Sequence, residues 1–120
     1  MNKNNKFILW FNELSIGDVP LVGGKNASLG EMYRNLTKKN IKIPNGFAIT
    51  AYAYNYFIEE SRIKDELKKI LKILDKSKKN LAEVGEKART TILKIELPPE
   101  IKDEIFKAYK KLCKQYGINI

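Results

Sequence analysis

From Ile63 to Leu112 the apolar residues recur at helical intervals. Ile63, Leu67, Ile70, Leu71 and Leu74 form one series, with lysines between them, and Leu81, Val84, Ala88 and Ile92 form a second. Residues three and four apart share a helix face, so each series predicts an amphipathic helix. Leu97-Pro98-Pro99-Glu100 breaks the pattern and opens a new helix, since proline is tolerated in a first turn. The stripe of that helix is Ile101, Ile105, Ala108 and Leu112, and Gly117 ends it. A helical second half leaves little of the chain for a sheet.

The first half supplies only short strands. Residues 7–11 are apolar, aromatic and β-branched, and read as a buried strand. A turn at Pro44-Asn45-Gly46 precedes a second short strand over 47–50, then a helix over 51–60. Residues 12–21, with Gly17, Asp18 and Pro20, read as a connection. Another helix is expected over 27–38, with Ala27, Leu29, Met32, Tyr33 and Leu36 near one face. Ser28 and Glu31 match a capping box there, and Asn26 is an alternative cap. Ile118-Asn119-Ile120 looks like the start of a strand. The expected fold class is α/β, mostly helical with a small, incomplete sheet. The expected domain organisation is a single partial domain over residues 1–120.

What the chain lacks narrows its chemistry. It has no His, which removes His general bases, His metal sites, Ser–His and Cys–His pairs and any phosphohistidine within it. One cysteine, Cys113, allows no intramolecular disulfide and no Cys-based metal framework. Beside Leu112 it reads as a buried, inert thiol. No residue here is a candidate metal ligand or a complete catalytic group. The apolar run at 7–11 is shorter than a signal-peptide core, and no transmembrane stretch exists, so a cytoplasmic location without a membrane partner is the default.

Charge raises the question of nucleic acid. The net charge is +9. Residues 1–60 carry 7 basic and 5 acidic residues, whereas 61–120 carry 16 and 9. The basic residues are 20 Lys and 3 Arg, and Lys is the poorer reader of bases and phosphates. The lysines fall on expected solvent faces, so a solvated surface is preferred to a nucleic-acid footprint. Arg89, the neighbouring acids Glu59-Glu60 and Asp103-Glu104, and Trp10 with Tyr52, Tyr54 and Tyr56 read as surface or packing residues. Phe47 and Thr50 read as structural.

The stretch VGGKNASLGEM, residues 22–32, carries the most specific signal. Gly23 and Gly24 permit unusual dihedrals and close approach of a ligand. A helix beginning near Lys25 would aim free N–H groups and a partial positive charge at the loop, and Lys25 adds a full charge. The pattern is neither a Walker A loop, whose outer positions are Val19 and Asn26 here, nor G-x-G-x-x-G, since the glycines are 23, 24 and 30. On pattern alone, a tight strand-to-helix turn with an exposed lysine is the preferred reading, since helix starts are common and most bind nothing.

GGKNASLGEM at 23–32, followed by P-x-G-F-x-I-T at 44–50 and an aromatic helix, resembles the N-terminus of the phosphoenolpyruvate synthase (pyruvate, water dikinase) family. Pyruvate phosphate dikinases and rifampin phosphotransferases carry looser versions, and Asn26 and Ser28 look closer to the synthase form. The resemblance implies part of an ATP-grasp-like nucleotide-binding domain. In that family ATP phosphorylates a histidine on a mobile domain, which carries the phosphoryl group to pyruvate; Mg2+ is the implied metal. It also implies that Lys25, with Gly23, Gly24 and Asn26, contacts the ATP phosphates. The family's next motif, its acidic metal ligands, its phosphohistidine and its pyruvate barrel are not in these 120 residues. The expectation is therefore an N-terminal fragment, inactive alone, whose partner is the remainder of the dikinase. The alternatives are an interaction module completing a separately encoded dikinase, a fragment of a related phosphotransferase, and an unrelated basic nucleic-acid binder.

Overall fold

The computed structural model describes residues 2–119. These divide into two compact units: one holds the chain through Asn55 and again from Pro99, and the other is Tyr56–Pro98.

In the first unit, β1 (Ile8–Trp10) pairs antiparallel with β2 (Phe47–Ile49), in the register Ile8 to Ile49, Leu9 to Ala48 and Trp10 to Phe47. Alternation along a strand puts Leu9 and Ala48 on one face of this ribbon. Both are buried, and they join Leu14, Val22 and Ala27 in the core. The strands are one or two residues shorter than the sequence suggests, because their ends have other work. Phe11 begins a 3-10 turn, Phe11–Glu13, and Glu13 Oε2 accepts from the Trp10 N–H at 2.8 Å. Thr50 leaves the strand to cap α3 (Ala51–Ser61). Its hydroxyl donates to Lys6 O at 2.6 Å and accepts from Ala53 N–H at 3.1 Å. Thr50 is buried, so Thr50→Val would strand two backbone groups. It should cost about 1–2 kcal/mol, read as a lower urea midpoint.

The connection over 12–21 is more ordered than expected. It contains a 3-10 turn, Ile16–Asp18, and a one-turn helix, α1 (Val19–Val22), with Pro20 in its first turn. Asp18 Oδ2 accepts from Ser15 N–H at 2.9 Å and pairs with Lys3 Nζ at 2.6 Å. The Lys3 hydrogen bond, with help from Ser15, holds the Asp18 carboxyl below its ordinary value of 3.8. A depressed carboxylate contributes stability above its unfolded pKa, and that contribution is lost as pH falls through the folded value. Asp18→Asn should therefore lower stability by about 0.5 kcal/mol near neutrality, the scale of a partly exposed pair, with the gap closing below about pH 4. Urea midpoints measured from pH 6 down to acid check this, and a gap constant with pH would refute it.

α6 (Pro99–Gln115) returns to the first unit beside β1, with Lys111 Nζ 5.3 Å from the Trp10 ring centroid. Ile101 and Ala108 are buried as expected. Ile105 and Leu112 are half-buried, and Cys113 beside Leu112 is buried. The helix closes on Gly117 at φ 69°, with Ile118 N–H donating to Cys113 O at 2.8 Å. Ile118 and Asn119 do not form the expected strand, and Ile120 lies outside the described residues.

The second unit contains α4 (Lys64–Lys72) and α5 (Leu81–Leu93), which pack on each other. Val84 is buried in it, as is Ile63, while the lysines of α4 are exposed. Mostly helical structure with one two-stranded sheet is thus the architecture of the described residues.

Candidate functional site

The expected glycine–lysine loop is a helix elbow. α2 runs Gly24–Thr37, three residues earlier than predicted, and Gly23 alone separates it from α1. Gly23 sits at φ 84°, ψ 166°, where a side chain would be strained. Its N–H closes α1 on Val19 O at 2.8 Å, and its carbonyl accepts the first bond of α2, from Ala27 N–H at 3.1 Å. The N–H groups of Gly24, Lys25 and Asn26 precede that bond. Among the described residues they have no acceptor.

The capping arrangement differs from expectation. Ser28 and Glu31 form no capping box, because the helix has already begun at Gly24 and Ser28 lies exposed within it. Glu31 reaches instead across to the preceding turn, where its Oε2 accepts from Ile16 N–H at 2.9 Å. Asn26 does not cap the helix either. Its Nδ2 donates backwards to Val22 O at 3.0 Å.

Gly30 and Gly24 differ in what their missing side chain would meet. A Cβ on Gly30 would run into Leu14 Cβ and lie 3.1 Å from Phe11 O, so this residue lets α2 sit against the Phe11–Glu13 turn. A Cβ on Gly24 would meet nothing within 4 Å. Neither packing nor a positive φ requires Gly24, and the space before it is open. Lys25 is exposed beside it and has no ion pair among the described residues. Gly23, Gly24 and Lys25 are exposed and Asn26 is half-buried, so residues 23–26 form one edge with a cation, three uncommitted donors and open space before Gly24. Such an edge suits a phosphate group.

Other features lie away from this edge. An open groove of about 950 Å³ runs along β1 and α6, lined by Trp10, Asn45, Tyr52, Glu104, Lys107 and Lys111 among others, and none of residues 23–26 lines it. No local pattern foretells it, since its two sides are about a hundred residues apart. Trp10 packs against Phe47, with ring centroids 5.3 Å apart, which agrees with a packing role. Cys113 is buried. Among the described residues no three His, Cys, Asp or Glu side chains come together to hold a metal ion, and no helix is long and apolar enough to cross a membrane.

Comparison with known proteins gives this elbow, and the chain around it, a family. The pyruvate phosphate dikinase, AMP/ATP-binding domain family matches residues 19–119, and the chain belongs to it. Relatives include the phosphoenolpyruvate synthase of Synechocystis, 45% identical over 97% of this chain. The probable phosphoenolpyruvate synthase of Staphylothermus marinus is 46% identical over 97%, and the Escherichia coli phosphoenolpyruvate synthase is 40% identical over 92%. The chain spans 14% of the length of each of these relatives.

Proposed function

We propose that this chain supplies one wall of the ATP triphosphate site of a phosphoenolpyruvate synthase. The observation that carries the reading is the coincidence of exposed Lys25, three uncommitted N–H groups and the open space before Gly24, all inside the matched family segment. Lys25 Nζ neutralises phosphate charge, Gly24 lets the phosphates approach the backbone, Gly23 turns the chain, and the Asn26 N–H completes the row of donors. Bound ATP supplies the phosphoryl group.

Whole-enzyme chemistry belongs to more than these residues. The relatives are called phosphoenolpyruvate synthases, and in this reading the whole enzyme converts pyruvate, ATP and water to phosphoenolpyruvate, AMP and phosphate. A phosphohistidine carrier requires a His, and these 120 residues contain none. Mg2+ needs oxygen ligands, and the described residues offer no acidic cluster for it, so no step here is assigned to the ion. The partner in this reading is the remainder of a dikinase chain, acting in the cytoplasm.

Titrating the chain with ATP while following backbone amide shifts tests the reading. Saturable shifts centred on residues 23–28 are expected. A folded chain whose amides there do not respond to several millimolar ATP would overturn phosphate binding by this wall.

A further inference from the structure

We infer that Asn26 is a positioning residue: its side chain occupies the Val22 carbonyl and so releases its own backbone N–H for an anion. This inference rests on the phosphate reading above and explains how the chain keeps that edge open. In an unbroken helix the Val22 carbonyl would accept from the N–H four residues later, which is that of Asn26. The turn at Gly23, φ 84°, separates the two helices at this point. A carbonyl left behind at such a break would draw the nearest donor back and rewind the elbow. The Asn26 side chain meets that need, with Nδ2 3.0 Å from Val22 O. Ala27 N–H resumes the ladder on Gly23 O, and Asn26 N–H has no acceptor among the described residues. The asparagine thus replaces its own amide in the helix ladder. The chemistry needed at position 26 is a short side chain with a donor, and the third outward donor at the phosphate edge depends on it.

Three variants of the 120-residue chain test this. Asn26→Ala removes the donor, Asn26→Asp replaces it with an acceptor facing a carbonyl, and Asn26→Ser restores a donor able to reach a carbonyl four residues back. Two quantities are read: hydrogen exchange of the residue-26 amide, and binding of inorganic tripolyphosphate. In the wild type that amide should exchange freely. In Asn26→Ala it should return to Val22 O and exchange about tenfold more slowly, while tripolyphosphate binds about tenfold more weakly, the effect of one hydrogen bond. Asn26→Asp should bind more weakly still. Asn26→Ser should restore both quantities toward wild type, which a general packing defect would not allow. Unchanged residue-26 exchange in Asn26→Ala overturns the inference, as does unchanged tripolyphosphate affinity. Wild-type chain that ignores tripolyphosphate overturns the phosphate reading and with it the anion half of the inference. The exchange readout then judges the elbow half by itself.

Discussion

Gly30→Ala is expected to destabilise the first unit by about 2 kcal/mol or more, because overpacking into fixed neighbours costs about 1–3 kcal/mol and sometimes more. The new methyl group would collide with Leu14 Cβ and press on Phe11 O and on the Leu14 carbonyl carbon, at 3.1 and 3.2 Å. None of these is the loose end of a long side chain. Leu14 is fully buried, and Phe11 O also accepts the Leu14 N–H at 3.1 Å, so the turn cannot yield alone. Alanine would gain about 1 kcal/mol of helix propensity, which the collision outweighs. Gly24→Ala is the matched control. Its methyl would enter open space at the head of the same helix, and its stability should stay within about 0.5 kcal/mol of wild type. Urea denaturation of both variants separates the two cases. A Gly30→Ala chain as stable as wild type would mean that α2 does not lie this close to the turn.

The second large effect concerns Lys25. Lys25→Ala should weaken ATP binding about 10- to 100-fold, the range for a charge-assisted hydrogen bond of about 1.5–3 kcal/mol. Thermal stability should not change, since the side chain is exposed and has no ion pair among the described residues. Lys25→Arg keeps the charge and should recover most of the affinity. The wild-type affinity should fall with added salt more steeply than that of Lys25→Ala, because an exposed charge is screened. Isothermal titration at two salt concentrations reads both effects. Equal affinity of Lys25→Ala and wild type would remove Lys25 from the phosphate site.

How much of this was legible in the residues depends on how far each partner lies along the chain. The helices of the second half announced themselves through Leu67, Ile70, Val84 and Ala108, because a helix face is a local pattern. Gly117 was legible as a terminator for the same reason. Glu31 was not. Its spacing from Ser28 mimics a capping box, but its partner is Ile16 N–H, fifteen residues away, and no local rule reaches that far. Gly30 stood out within its motif, yet its reason lies in Phe11 and Leu14 across a tertiary contact. Lys25 and its glycines were legible as an exposed helix start. The length of the edge they form was not, because it depends on where the helix starts, and the helix starts at Gly24.

The turn before β2 is tied to the far end of α6. Asn45 N–H donates to the Tyr116 hydroxyl at 2.6 Å, and Asn45 Nδ2 donates to Gln115 Oε1 at 2.9 Å. Seventy residues separate these groups, and the whole second unit is spelled between them. During synthesis the helices of the second unit are therefore complete before the first unit can close. The Asn45 turn stays unlatched until Tyr116 has emerged. A nascent chain of this design stays open to proteases at its N-terminal unit longest, although that unit is made first.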